Sequence, residues 1–308
     1  MHIARPFVKW VGGKSRLLEQ FESLYPQELR KGFIENYFEP FLGGGALYFS
    51  IAEKYKIKNA YLSDVNGDLI LTYKVIQKKH SDLLEFLAHY QEMYDKTSEK
   101  KRYDLFREVR KHFNDQRFEI NYKKLSDNWI PRAAQFIFLN KTCFNGLFRL
   151  NSHGEFNVPF GKYDSINIVN EENTRAVSKI LRNARIVHAD YSDCYDKITA
   201  KSFVYFDPPY RPLTQTASFT AYTGTEFNDA RQVELSLFFQ KVDKKKKAKL
   251  MLSNSDPANV NPGDNFFRKA YSGYTIIRVC ANRSVNCDGA KRGRISELVI
   301  TNYMGRTG

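Results

Sequence analysis

A chain of 308 residues with 42% hydrophobic residues is long enough for one large domain, or for a domain carrying a smaller inserted one, and can bury a substantial core. No apolar run approaches the roughly 18 residues needed to span a bilayer, and no apolar stretch marks a secretory signal at the N-terminus, so the expectation is a cytoplasmic protein without a membrane partner. The formal charge of +14 favours a polyanionic partner, because basic side chains release counterions from phosphates.

The first motif in chain order is Gly12-Gly13-Lys14-Ser15, which invites a phosphate-loop reading. That loop requires a glycine where Val8 stands, and too few residues precede it to form the strand that feeds such a loop. The segment Lys9–Lys14 therefore needs another role. Ile34 to Phe41 reads as a strand ending in Glu39-Pro40-Phe41, followed by Gly43-Gly44-Gly45 and a helix from Ala46 to Ala52. Asn59 to Ser63 reads as the next strand, stopped by Asp64-Val65-Asn66-Gly67. Strand, glycine turn, helix and strand make the first βαβ unit of a doubly wound sheet. The glycines admit a cofactor close to the backbone, and Asp64, 19 positions beyond Gly45, can accept both hydroxyls of a ribose. This pattern fits a dinucleotide and S-adenosylmethionine equally.

From Leu69 to Lys141 helical periodicity dominates, which gives a mainly helical insertion. Cys143 to Gly161 is polar and punctuated by glycine, as in a loop or hairpin. Strand patterns return at Arg185–His188, at Ser202–Phe206, at Leu250–Leu252 before Ser253-Asn254, at Tyr274–Val279 and at Leu298–Asn302. Each strand-like run ends in polar residues, and open α/β sheets bind ligands at the carboxyl ends of their strands. The expected architecture is α/β, a Rossmann-like sheet formed by residues 1–71 and 164–308, with an inserted domain at 72–163.

The strand at Ser202–Phe206 runs into Asp207-Pro208-Pro209-Tyr210. Two prolines fix φ and cannot donate hydrogen bonds, so the turn is rigid and its carbonyls stay available as acceptors. An exocyclic amine such as adenine N6 has two hydrogens to donate. The Asp207 carboxylate and the Pro208 carbonyl can accept both, which aims the nitrogen lone pair at an electrophilic methyl. Tyr210 offers a face on which a base taken out of the duplex can stack, a role that needs the ring rather than the hydroxyl.

Lys9-Trp10-Val11-Gly12-Gly13-Lys14, Glu39-Pro40-Phe41-Leu42-Gly43-Gly44-Gly45, Ser63-Asp64-Val65-Asn66 and Asp207-Pro208-Pro209-Tyr210 together resemble a Dam-type DNA adenine-N6 methyltransferase of the alpha arrangement, from about Pro6 to Tyr303. The resemblance implies a Rossmann-like S-adenosylmethionine-dependent methyltransferase sheet with an inserted target-recognition domain. It also implies double-stranded DNA as partner, no metal, and a monomer in solution. Trp10, Lys14, Glu39, Phe41, Gly43, Gly45 and Asp64 would hold S-adenosylmethionine, and Asp207 would be shared with the catalytic set Asp207, Pro208, Pro209 and Tyr210. Leu139 to Arg149 and Asn151 to Gly161 resemble the family's recognition hairpin. In members that methylate GATC, residues like Leu147, Arg149 and Pro159 contact bases, and a lysine like Lys9 contacts the first guanine. Arginine and lysine match guanine O6 and N7, and an apolar side chain meets the thymine methyl. An aromatic at the Phe144 position would intercalate beside the extruded adenine, with Asn145 next to it.

The same amine chemistry serves an N4-cytosine methyltransferase, although Asp rather than Ser before Pro-Pro-Tyr argues against one. A catalytically silent DNA-binding protein is the other alternative. The four cysteines (Cys143, Cys194, Cys280, Cys287) have neither C-x-x-C nor zinc-like spacing, and His153-Gly154-Glu155 lacks the P-C-x-x-C partner of a zinc deaminase. The basic residues Arg278, Arg283, Lys291, Arg292 and Arg294 are candidates for phosphate contact.

Overall fold

A computed structural model describes residues 3–212, 227–282 and 294–303. Its strands are β1 (Asn36–Glu39), β2 (Asn59–Asp64), β3 (Ala184–His188), β4 (Ser202–Phe206), β5 (Lys249–Ser255), β6 (Thr275–Asn282) and β7 (Arg294–Thr301). They pair into one sheet in the order β3-β2-β1-β4-β5-β7-β6. The first five are parallel, and β7 is antiparallel to both β5 and β6. The chain winds outward from β1 in one direction and from β4 in the other, so their adjacent carboxyl ends open a crevice where ligands bind in such sheets.

Side chains alternate across the strands, and the alternation sorts them into two layers. Tyr37, Leu62, Phe203, Tyr205, Met251 and Val299 face one layer, while Phe38, Tyr61, Val204, Phe206, Leu250 and Leu298 face the other. The first layer is covered by α1 (Leu18–Ser23), α2 (Gln27–Arg30), α3 (Ala46–Lys54), the beginning of α4 (Gly67–Asp95) and α7 (Glu171–Leu181). The second is covered by α8 (Asp229–Lys246) and α9 (Phe266–Ala270).

Between β2 and β3 the chain adds, after α4, helices α5 (Glu99–Asp115) and α6 (Trp129–Thr142), whose buried Phe113, Phe136 and Phe138 continue the first layer's core. Helix α4 passes without a break through residue 72, the expected edge of the insertion, and departs from helical angles at Lys79. Up to that point it belongs to the sheet: Gln77 donates to the carbonyls of Leu181 and Ala184, beside β3. Buried Arg132 of α6 grips Asp68 at the start of α4 through Nε and Nη2, at 2.7 and 2.9 Å. Helix α6 is thus fastened to the start of α4 by an ion pair that would leave a buried charge if either partner were removed.

Candidate active site

The period of two places Glu39, Asp64, Asp207, Ser253 and Glu297 on one face, the face of Tyr37, Leu62, Tyr205, Met251 and Val299. β7 runs opposite to β5, and Glu297 pairs with Ser255. Its early residues therefore lie at the same sheet edge as the ends of β4 and β5. Three carboxyl groups meet Lys14 there. Lys14 is only 4% exposed; its Nζ lies 2.8 Å from Asp207 Oδ1, donates to the Gly12 carbonyl, and stands 4.6 Å from the Tyr210 ring centroid. The segment that failed as a phosphate loop therefore delivers a cation to the Asp207 turn. Burial raises the Asp207 carboxyl above its ordinary value, and Lys14 and the Ser253 hydroxyl (2.8 Å) pull it back. Burial pushes the Glu39 carboxyl up to about 8, opposed by the Tyr37 hydroxyl at 2.6 Å and reinforced by Asp207.

The rigidity of the Asp207–Tyr210 turn comes from its surroundings as well as its prolines. Gln232 Nε2 of α8 donates to the Pro209 carbonyl (2.9 Å), and the Arg211 amide donates to Asn254 Oδ1 (3.1 Å). Arg211 itself bridges Asp229 and Asp264. The Tyr210 hydroxyl donates to Glu297 Oε2.

On the other side of the crevice, Gly43 and Gly45 take positive φ, +48° and +69°. The Gly43 amide donates to Asp64 Oδ2 and the Asn66 amide to Oδ1, both at 2.9 Å. Burial raises the Asp64 carboxyl, while those amides and nearby His188 lower it. Phe41 stacks on Tyr191, with ring centroids 5.4 Å apart. Trp10 covers the glycine turn so closely that a Cβ at Gly43 would lie 2.7 Å from its Cδ1. The back of the indole stacks on Phe148, 5.9 Å away and tilted by 18°.

Phe148 belongs to a hairpin. Antiparallel bridges join Cys143 to Phe160 and Leu150 to Phe156, and Asn151 Oδ1 closes the tip by accepting the amides of His153 and Glu155. Asn114 of α5 fixes the hairpin by accepting the Phe156 amide and donating to the Phe156 carbonyl. Phe144, Asn145, Arg149 and Pro159 are exposed and Leu147 is half-buried. Asn145 adopts φ +57°, and Arg149 Nε donates to Asn157 Oδ1 at 2.8 Å. Lys9 joins this surface through the buried Asn140 side chain, which bonds the Lys9 amide, the Lys9 carbonyl and the Gly146 carbonyl, each at 2.9 Å. Lys9 Nζ lies 5.7 Å from the Tyr163 ring, whose hydroxyl accepts the Asn145 amide.

The expected catalytic residues and Glu39, Phe41, Gly43, Gly45 and Asp64 thus lie along one crevice, and Phe144, Asn145, Leu147, Arg149 and Pro159 along one hairpin, with Lys9, Trp10 and Lys14 between them. The profile of the D12 class N6 adenine-specific DNA methyltransferase family matches residues 10–285. The chain belongs to this family. It is 46% identical over 300 residues to the type II methyltransferase M.MjaIII of Methanocaldococcus jannaschii, covering 97% of this chain and 99% of that protein. A DNA adenine methylase of Haemophilus influenzae is 31% identical over 296 residues, covering 96% and 92%. The type II methyltransferase M.CviBI of Paramecium bursaria Chlorella virus NC1A is 31% identical over 308 residues, covering 97% and 100%.

As a member of this adenine-specific methyltransferase family the enzyme takes S-adenosylmethionine as co-substrate and DNA as substrate. The residues present fit that co-substrate in kind: a left-handed glycine turn whose amide holds the Asp64 carboxylate, an indole laid against that turn, and the buried Lys14 beside it. Among the described residues no cluster of His, Cys, Asp or Glu is placed to hold a metal ion, and no helix is long and apolar enough to cross a membrane. Cys143 and Cys194 are buried free thiols and Cys280 is an exposed one; Cys287, Arg283, Lys291 and Arg292 lie outside the described residues. Arg278 pairs with Asp256 at 2.6 Å.

Four residues of the crevice escaped sequence reasoning in these roles. Ser253 and Asn254 gave a signal, as polar residues ending an apolar strand. Glu297 gave another, as a charge inside the run Ile295 to Ile300. Gln232 gave none, being a polar residue in a charged helix.

Proposed function

We propose that the enzyme methylates N6 of an adenine extruded from double-stranded DNA, at the sequence GATC. The observation that carries this reading is the position of Asp207. It lies at the crevice between β1 and β4, bonded to Lys14, next to the Tyr210 ring, with the Asp64 glycine turn on one side and the hairpin on the other.

Each residue then has a task set by its chemistry. Asp64 accepts from the ribose with the oxygen lone pairs that the two backbone amides leave free. Trp10 lies over the cofactor, Phe41 and Glu39 line its seat, and Lys14 meets its carboxylate. S-adenosylmethionine supplies an electrophilic methyl on a sulfonium. The Pro209 carbonyl is occupied by Gln232, so the Pro208 carbonyl and Asp207 take the two N6 hydrogens. That arrangement turns the N6 lone pair outward, and Asp207 receives the proton that N6 sheds once its new bond has formed. Tyr210 stacks on the extruded base.

On the duplex, Phe144 fills the gap beside the extruded adenine and Asn145 lies next to it. Arg149, oriented by Asn157, reads one guanine, Lys9 reads the other, and Leu147 and Pro159 make apolar contacts. The test is tritiated methyl transfer to duplexes carrying one GATC and to all of its single-base variants at fixed salt. Transfer confined to GATC supports the reading; equal transfer to every duplex contradicts its sequence specificity.

A further inference from the structure

The best-held part of the Tyr210 ring is the hydroxyl, the part that base stacking does not need. Glu297 lies in β7, paired with Ser255 of β5 and Val279 of β6, so its position is set by a strand bonded on both sides. Its Oε2 accepts the Tyr210 hydroxyl at 2.5 Å, across 87 residues of sequence. The other end of Tyr210 is fixed by the backbone bonds to Gln232 and Asn254 on the adjoining residues. A tyrosine held only at its backbone can still rotate about its Cα–Cβ and Cβ–Cγ bonds; one also held at its tip has a defined ring plane. That plane is the one Lys14 faces at 4.6 Å, with Asp207 2.8 Å from the same ammonium.

We propose that Glu297 is a positioning residue for methyl transfer, holding the Tyr210 ring in the orientation in which the target base stacks. The proposal rests on the adenine reading above. It departs from the expectation that the role of Tyr210 needs the ring rather than the hydroxyl. Without the hydroxyl, the half-buried Glu297 carboxyl loses this donor near Asp207; without Glu297, the hydroxyl loses its acceptor and the ring is released. Burial already holds the Glu297 carboxyl above its ordinary value, with Lys14 and the Tyr210 hydroxyl drawing it down and Asp207 raising it. A carboxylate there therefore depends on these partners.

The experiment compares wild type, Tyr210→Phe, Glu297→Leu, Glu297→Gln and the double variant Tyr210→Phe/Glu297→Leu in single-turnover transfer to a GATC duplex. The emission of 2-aminopurine placed at the target adenine is read in parallel. Tyr210→Phe and Glu297→Leu are each expected to slow transfer about 10- to 100-fold, the effect of orphaning one partly buried polar group and releasing the ring, with KM for S-adenosylmethionine within about threefold of wild type. Both should change the 2-aminopurine emission, because the stacking partner has moved. Glu297→Gln keeps an acceptor oxygen and is expected to recover at least about tenfold of the loss seen in Glu297→Leu. The double variant should be no slower than the worse single variant, since both remove the same bond. Wild-type turnover in Glu297→Leu, or a double variant whose loss is the product of the single losses, overturns the proposal. Should Glu297→Leu not fold, Tyr210→Phe decides alone: unchanged rate and emission overturn it. Wild type that transfers no methyl to adenine defeats the functional reading itself, and is seen before any variant is compared.

Discussion

Replacing Gly43 by alanine tests how the glycine turn, the indole and the cofactor seat depend on each other. Gly43 has φ +48°, where an L-residue costs about 1–2 kcal/mol. The new Cβ would lie 2.7 Å from Trp10 Cδ1, whereas carbon atoms rest about 3.5–4.0 Å apart, so the indole must withdraw by about 1 Å. Phe148 stands behind it and blocks that retreat. Strain and displacement together should weaken S-adenosylmethionine binding by about 2–3 kcal/mol, or about 30- to 150-fold. Gly44→Ala is the control: its backbone is not left-handed, and its Cβ would sit 3.4 Å from Trp10 Cβ, so binding should stay within about threefold. Calorimetric titration with S-adenosylmethionine gives the affinities, and melting without ligand separates lost binding from lost folding. Equal affinities for Gly43→Ala and Gly44→Ala would refute the reasoning.

Asp207→Ala removes the proposed amine acceptor and the Lys14 ion pair, and should lower cofactor-saturated turnover by at least about 100-fold; near-normal turnover would remove Asp207 from the chemistry. Arg149→Ala should cost about 1–3 kcal/mol of discrimination at one base pair, and Lys9→Ala should relax a different pair; a matrix of single-base variants shows this, and uniform loss would reduce both residues to phosphate contacts. Glu39 holds its proton more tightly in the folded protein than in the unfolded chain, so its contribution to stability is lost as pH rises from 4.5 to about 8. Glu39→Gln should therefore gain in melting temperature relative to wild type across that window and no further above it; a gap independent of pH would contradict the burial argument.

The parts of the fold that were legible in the sequence are those with local signatures. Asn59–Asp64 ends where Asp64-Val65-Asn66-Gly67 stops it, and Ala46–Lys54 begins where the glycine turn ends. The sheet order was not legible, because pairing β7 between β5 and β6 depends on contacts between distant segments. The same separation divides the site. Asp207-Pro208-Pro209-Tyr210, Gly43–Gly45 and Lys9–Lys14 carry recognisable short patterns, but Ser253 reaches Asp207 across 46 residues and Gln232 reaches Pro209 across 23. A bond of that kind leaves only a misplaced polarity in the sequence, as Glu297 does within β7. Position 72 carries no local mark of a boundary: it lies inside α4, which binds the β3 side through Gln77 and α6 through Asp68 under one continuous helical pattern.

The most direct test of the account identifies the methylated atom. A duplex with a single GATC is incubated with the enzyme and S-adenosylmethionine, digested to nucleosides and analysed by mass spectrometry against standards. N6-methyldeoxyadenosine is the expected product, absent after Asp207→Ala. N4-methyldeoxycytidine, or no methylated nucleoside with the wild-type enzyme, would contradict the account.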